Sequence, residues 1–151
     1  MTTRVGIGVD AHPFKEGRRL VLAGITIPWP MGLDGHSDGD VLTHAAIDAI
    51  LGGSGLGDIG THFPSTDRQY INASGAELMT ETIRIVTQSG WRTQYLDATI
   101  IAQTPNFASH ILQMRKNVSA VVKLEKDRIN IKATTTDHLG FIGKEKETLD
   151  Q

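Results

Sequence analysis

Two side chains that could bind a metal ion lie near the N-terminus, in the run Val9-Asp10-Ala11-His12-Pro13. The apolar residues before them, from Val5 to Val9, are typical of a β-strand. Because side chains alternate between the two faces of a strand, Asp10 and His12 should point the same way. A carboxylate and an imidazole on one face supply two of the three protein ligands of a catalytic zinc site. The alternative is that Asp10 caps a turn and His12 is an ordinary polar residue.

The best candidate for the third ligand is His44, in the first turns of a helix predicted over residues 41 to 51. Asp40 or Ser37 would cap this helix. Two imidazoles and one carboxylate leave the fourth position of a zinc ion open, as in catalytic sites. Asp48 lies four residues after His44 on the same helix face and would orient its ring. A solvated carboxylate is the alternative for Asp48.

A second polar segment, Lys132-Ala133-Thr134-Thr135-Thr136-Asp137, ends an apolar strand. Backbone N–H groups and hydroxyls in such a position can bind a phosphate together. Asp137 could hold a divalent cation against that phosphate. A strand end with a threonine cap is an equally good interpretation of this segment alone.

Length and composition restrict the function classes. A chain of 151 residues is long enough for one domain with its own core. A net charge of -2 argues against nucleic acid as the main partner. The sequence has no cysteine, which excludes disulfides and a thiolate zinc site. It has neither an apolar run of about 20 residues nor a signal-peptide pattern, so we expect a cytoplasmic protein without a membrane partner.

The elements that must position these residues alternate between strand and helix, which predicts an α/β protein, of the α+β sandwich type. Strands are predicted at residues 4–10, 95–103 and 128–135, a hairpin at 20–28 that turns near Gly24, helices at 41–51, 73–89 and 109–123, and loops at 15–19, 28–35 and 55–67. Gly52-Gly53 and Gly90 would end the first two helices. One sheet would be covered by helices on one face, and its other face would pack against other subunits.

Five blocks of this sequence, in order, resemble the 2-C-methyl-D-erythritol 2,4-cyclodiphosphate synthase family. The blocks are Gly8-Val9-Asp10-Ala11-His12, His36-Ser37-Asp38-Gly39-Asp40-Val41 with His44, Leu56-Gly57-Asp58-Ile59-Gly60, Ile100-Ile101-Ala102-Gln103, and Lys132-Ala133-Thr134-Thr135-Thr136 with Leu139-Gly140-Phe141. The resemblance covers about residues 4 to 144, nearly the whole chain. Five blocks at compatible spacings are far more specific than any one of them.

The resemblance implies an enzyme of the non-mevalonate isoprenoid pathway. Members convert 4-diphosphocytidyl-2-C-methyl-D-erythritol 2-phosphate to the cyclic diphosphate and release CMP, and they are homotrimers with active sites between subunits. The nucleophile is the substrate's own 2-phosphate, so the lack of cysteine is no obstacle. A zinc-dependent phosphohydrolase and a non-catalytic trimeric nucleotide-binding protein remain alternatives.

The resemblance also implies a role for individual residues. Zinc would bind Asp10, His12 and His44, and Asp137 would hold a second divalent cation, Mg²⁺ or Mn²⁺, through the phosphates; Thr135 would be catalytic with them. His36 and Ser37 are expected at the methylerythritol phosphate, and Asp58 is expected at the methylerythritol hydroxyls. Residues expected at the cytidine and diphosphate are Ala102, Pro105, Asn106, Phe107, Ala108, Ala133, Thr134 and Thr135. Further substrate contacts are expected at Gly60, Ser65, Asp67, Phe141 and Lys144.

Some positions depart from the family pattern. Ser65 stands where members commonly carry Asp, Asp137 where Glu is usual, and Lys144 where Arg is frequent. Members usually continue with an apolar segment after this point, whereas residues 144–151 are polar. We therefore expect residues 145–151 to be a frayed tail and the last strand of the sheet to be missing.

Overall fold

The computed structural model describes residues 1–144, so the expected frayed tail at 145–151 lies outside the described residues. The strands are β1 (Phe14–Glu16), β2 (Leu20–Leu22), β3 (Ile25–Ile27), β4 (Met31–Leu33), β5 (Leu96–Ile101) and β6 (Ile129–Thr134). The α-helices are α1 (Val41–Ser54), α2 (Ile59–His62), α3 (Gly75–Gln88), α4 (Ile111–Val122) and α5 (Gly140–Gly143). Short 3-10 helices occupy Arg68–Tyr70, Ala108–His110 and Lys126–Arg128.

The mixed α/β class is confirmed, but the prediction of one sheet per chain is wrong. Within residues 1–144 the strands form three two-stranded ladders. Strand β1 pairs with β4 and β2 pairs with β3, both antiparallel, while β5 and β6 are parallel with Leu96 opposite Ile129. Strands β1 and β4 lie where the sequence predicts loops. A strand of three residues is too short to show a recognisable alternation of apolar and polar side chains, so the sequence pattern does not reveal it.

The predicted first strand, residues 4–10, belongs to no ladder within the described chain. The predicted alternation of its side chains between two faces is nevertheless present. Val5, Ile7 and Val9 are exposed, while the residues between them are half buried. Asp10 and His12 continue the half-buried side, so they share one face as predicted.

Helix α1 begins where the sequence predicts and ends later. Asp40 is its N-cap, and its side chain accepts a hydrogen bond from the backbone N–H of Thr43. The predicted end at Gly52-Gly53 is wrong, because both glycines take helical geometry and the left-handed cap is Gly55, with φ 71°. Helix α3 begins with a capping box between Ser74 and Glu77.

The core lies between the helices and the ladders. Helix α1 packs against α3 and β5, and α4 packs against β6 and α3. The largest buried apolar side chains are Leu20, Leu22, Ile27, Ile47, Leu51, Val86, Met114 and Ile129. No helix within residues 1–144 is long and apolar enough to cross a membrane.

Two glycines allow the N-terminal segment to lie directly on α1. A Cβ atom at Gly6 would be 1.8 Å from the carbonyl oxygen of Ala49, and one at Gly8 would be 1.9 Å from that of Ala45. Both contacts are with helix backbone, which cannot move aside as a flexible side chain would. Only glycine therefore permits this approach, and it places Asp10 beside α1.

Gly8→Ala should destabilise the protein by about 1–3 kcal/mol, because the segment must move away from the backbone of α1. The matched control is Gly52→Ala, which lies within α1 itself. A Cβ atom there meets nothing within 4 Å, so this change should stabilise by about 0.5–1 kcal/mol. Urea unfolding of both variants measures the difference, and equal stability for the two would contradict the close packing.

Candidate metal and substrate site

The carboxylate of Asp10 lies between two imidazoles. Its Oδ2 atom is 3.1 Å from Nε2 of His12 and 3.2 Å from Nδ1 of His44. The three candidate ligand atoms all lie within 4.8 Å of one another, and the two rings are nearly perpendicular, at 87°. The structure therefore brings together the three residues that the sequence proposes as metal ligands.

A metal ion would suit this arrangement better than hydrogen bonds do. His12 Nε2 is buried and has no hydrogen-bond partner among residues 1–144; Asp10 is at the right distance, but the geometry is not that of a hydrogen bond. Such an orphaned nitrogen costs free energy unless something binds it. Ligands around tetrahedral zinc are about 3.3 Å apart, given bonds of about 2.0 Å, close to the spacings around Asp10.

The charges of the three residues are coupled. Burial alone would lower the pKa of His44, but the hydrogen bond and charge of Asp10, with Asp40 and Asp38 nearby, raise it above 6.5. Burial alone would raise the pKa of Asp10, but the two imidazoles and the N–H of Ala11 lower it below 3.8. The site thus favours a positive charge beside the carboxylate.

The side of His44 that faces away from Asp10 contacts a serine. Ser37 Oγ lies 3.0 Å from Nε2 of His44. The prediction that Asp48 orients this ring is wrong, because the Asp48 carboxylate accepts a hydrogen bond of 2.8 Å from the backbone N–H of Ile59. Asp48 therefore holds the start of α2 against α1, and Ser37 takes the place beside the imidazole.

The triad lies in the wall of a cavity of about 260 Å³. Of the residues predicted to bind substrate, His36, Ser37, Gly60 and Ser65 line it. Much of the remaining lining is apolar or aromatic, and no sequence pattern pointed to it; these side chains are Ile59, Phe63, Tyr70, Ile71 and Leu78. The cavity therefore combines cation-binding and hydroxyl groups with apolar and aromatic side chains.

Two predicted substrate carboxylates act as helix caps here. Asp58 Oδ1 accepts hydrogen bonds from the N–H of Thr61, at 2.8 Å, and from its hydroxyl, at 2.7 Å. These bonds lower the pKa of Asp58 below 3.8. Asp67 caps the 3-10 helix that follows it. Neither residue is among those that line the cavity.

The residues predicted for cytidine and diphosphate lie in another part of the chain. Ala133, Thr134, Thr135 and Asp137 are exposed. The side chains of Pro105 and Phe107 are buried, so only their backbone could meet a base. The other predicted contacts in this region, Ala102, Asn106, Ala108, Phe141 and Lys144, are half buried or exposed.

Gln103 joins the two loops of this region, a role that the sequence did not suggest. Its Nε2 donates to Thr136 Oγ1 at 2.8 Å, and its Oε1 accepts from the N–H of His138 at 3.2 Å. The cavity that holds the metal triad is lined by residues between Val9 and Leu78. The two halves of the predicted site thus do not share that cavity in one chain.

Comparison with known proteins gives consistent matches. The chain matches the family model described as the YgbB family over residues 3–149. A 2-C-methyl-D-erythritol 2,4-cyclodiphosphate synthase of Alkaliphilus oremlandii is 52% identical over 140 residues, which are 93% of this chain and 89% of that relative. One of Syntrophomonas wolfei is 50% identical over 143 residues, 95% of this chain and 91% of that relative.

Solved structures resemble the fold as well. The bifunctional IspDF protein of Campylobacter jejuni matches with a TM-score of 0.90 and 44% identity over 94% of this chain. This chain spans 38% of that longer protein. A 2C-methyl-D-erythritol-2,4-cyclodiphosphate synthase in a CDP-bound form matches with a TM-score of 0.85 and 35% identity, over 90% of this chain and 91% of that one.

His44→Ala should remove most of the bound divalent metal and leave the protein folded, because two ligands hold a metal far less tightly than three. Metal content of the purified variant, measured by atomic emission, checks this. The control is His110→Ala, a histidine at the start of α4 outside the triad, which should keep the metal. A His44→Ala variant that retains stoichiometric metal would show that His44 is not a ligand.

Metal affinity should fall as the pH is lowered, because a proton competes with the metal for His44. Below the raised pKa of His44 the loss should approach about tenfold per pH unit for one proton. In the metal-free protein the stability of the fold should show the opposite trend. The ion pair between protonated His44 and Asp10 stabilises the folded protein below the raised pKa of His44, and this stabilisation is lost as the pH rises through that pKa. Chelator competition and thermal unfolding between about pH 6 and about pH 8 test both trends. Affinity that is independent of pH would contradict the assignment.

Proposed function

The chain belongs to the YgbB family, and from this premise we propose that it catalyses the cyclisation for which its relatives are named. It converts 4-diphosphocytidyl-2-C-methyl-D-erythritol 2-phosphate to 2-C-methyl-D-erythritol 2,4-cyclodiphosphate and CMP, a step of isoprenoid biosynthesis. An oxygen of the 2-phosphate attacks the β-phosphorus, and the bond from that phosphorus to the oxygen bridging the α-phosphate breaks. CMP leaves with that oxygen. The family match at residues 3–149 supports a single catalytic domain.

The observation that carries the proposal is the convergence of Asp10, His12 and His44 in the wall of a cavity. Their donor set suits zinc with one position open to substrate. When bound there, the ion supplies Lewis acidity toward a phosphoryl oxygen. Because the three side chains already lie together, they would hold the ion in place before the substrate binds.

The rest of the cavity suits the branched sugar alcohol. Its apolar and aromatic lining, which includes Phe63, Tyr70 and Ile71, can bury the methyl group of the substrate. His36 and Ser37, which also line the cavity, can donate hydrogen bonds to the attached phosphate. These contacts would hold the flexible chain in a bent form in which the 2-phosphate meets the β-phosphorus, which is chiefly a positioning task.

We place cytidine and diphosphate at the loops that follow β5 and β6. Thr134 and Thr135 present hydroxyls there, and Asp137, whose Oδ1 lies 3.3 Å from the Thr135 hydroxyl, would hold Mg²⁺ or Mn²⁺ against the phosphates. The likeness to a synthase in a CDP-bound form supports a cytidine-linked ligand.

We propose that the two halves of the site meet between subunits of a homotrimer. The triad cavity is lined by residues before 79, whereas the nucleotide loops lie beyond residue 101. Val5, Ile7 and Val9, beside the triad, are 94%, 87% and 80% exposed. An apolar stripe of this kind is typical of an interface with another chain.

The decisive test of the reaction is product analysis with the purified protein, zinc and magnesium. We expect cyclic diphosphate and CMP in equal amounts, identified by phosphorus NMR, and no product when the metals are chelated. A linear product that has gained water would identify a phosphohydrolase instead. Metal binding without turnover would indicate a non-catalytic nucleotide-binding protein.

Thr135→Val should weaken CDP binding about tenfold and leave cytidine binding unchanged, because only a phosphate contact is lost, worth roughly 1.4 kcal/mol. Wild-type protein should also prefer CMP to UMP, since a backbone acceptor that faces the cytosine amine is left unpaired by uracil. Calorimetry with these ligands measures both effects. If the variant lost equal affinity for CDP and for cytidine, Thr135 would not be a phosphate contact.

A further inference from the structure

The ring nitrogen of His44 that faces away from Asp10, Nε2, lies beside a hydroxyl and a carboxylate. Nε2 is 3.0 Å from the hydroxyl of Ser37 and 4.0 Å from Oδ1 of Asp38. The imidazole is mostly buried, with its side chain 11% exposed, so these two neighbours act on it with little screening from water.

This environment bears on which nitrogen carries the proton in the neutral ring. A metal needs the lone pair of Nδ1, the atom that faces Asp10, so the proton must then be on Nε2. The Ser37 hydroxyl can accept a hydrogen bond from Nε2–H. An ionised carboxylate accepts but cannot donate, so Asp38 also favours the form with the proton on Nε2. Asp38 thus favours this tautomer, and the Ser37 hydroxyl, which can donate or accept, completes it by accepting from Nε2–H.

Backbone contacts fix Asp38 in this position. Its Oδ2 accepts a hydrogen bond of 2.8 Å from the N–H of Gly75, the first residue of α3, and its Oδ1 accepts one of 3.0 Å from the N–H of Asp40. Asp38 therefore joins the starts of α1 and α3 while it faces the metal site.

Arg18 holds the same loop from the other side. Its guanidinium donates to the carbonyl oxygens of Gly35, at 2.9 Å, and Ser37, at 2.8 Å. The two bonds fix the backbone on which the Ser37 hydroxyl is carried. Arg18 comes from the segment between β1 and β2, so the loop is held by this segment as well as by the starts of α1 and α3.

We propose that Ser37 and Asp38 are positioning residues for the metal, which stabilise the His44 proton on Nε2 when a metal takes the place of a proton on Nδ1, and that Arg18 holds their loop in place. The inference rests on the proposed function only in assigning the metal to this triad. It predicts metal affinity, which is measured without substrate.

The experiment measures zinc affinity of the full chain by competition with a chelator of known affinity. Ser37→Ala and Asp38→Asn should each weaken binding about 10- to 100-fold, the range for residues that orient a metal-binding histidine. Ser37→Thr keeps the hydroxyl and should restore most of the affinity. Ser54→Ala is the control, since its hydroxyl binds the carbonyl of Ile50 in the same helix as His44, and its affinity should be unchanged.

A double-mutant cycle separates positioning from a general structural effect. If Ser37 and Asp38 act through His44, Ser37→Ala and Asp38→Asn should cost no further affinity in a His44→Ala background. Undiminished losses in that background would overturn the proposal, as would wild-type affinity in both single variants. Asp38 also caps local structure, so Ser37→Ala decides the question if Asp38→Asn does not fold. Wild-type turnover is measured separately, so an active, zinc-binding protein with insensitive variants would contradict this inference alone.

Discussion

The buried carboxylate of Asp40 is the interaction on which the site depends. It is 0% exposed and accepts hydrogen bonds from the backbone N–H groups of Ala23, Gly24 and Thr43 and from the Thr43 hydroxyl. Burial raises the pKa of Asp40 despite these donors. A buried carboxylate is therefore tolerated only where all of these hydrogen-bond donors meet. That point joins the β2–β3 turn to the start of α1. His44 follows one turn later, with its N–H bonded to the Asp40 carbonyl.

Helix α1 positions two of the three ligands, one directly and one through packing. His44 is part of the helix, and Asp10 is brought beside it because Gly8 allows the N-terminal segment to touch the helix backbone. Asp48, on the same helix, holds the start of α2 and with it one wall of the cavity. His44 therefore lies on a helix and Asp10 is packed against that helix, an arrangement that suits chemistry that depends on positioning.

Patterns in short stretches of sequence predicted those features of the site that are set by neighbouring residues in the chain. The alternation from Val5 to His12 placed Asp10 and His12 on one face, and Asp40, the observed cap of α1, is one of the two caps that the sequence predicts. Contacts between residues distant in sequence were not predictable: Arg18 with Ser37, Asp38 with Gly75, and the pairing of β1 with β4. The single-sheet prediction failed for the same reason, since ladder partners are chosen by packing of the whole chain. The resemblance to a family supplied the substrate, which spacing alone did not.

In our proposal, each active site takes its metal ligands from one chain and its nucleotide loops from another. The most direct measurement is the activity of mixed trimers made by co-expressing His44→Ala and Asp137→Ala chains, each inactive alone. If the halves meet between subunits, about one quarter of the sites will combine an intact metal half with an intact nucleotide half, and about a quarter of wild-type activity should return. If each chain carries a complete site, the mixture will be no more active than either variant alone, and a site shared between subunits will be ruled out.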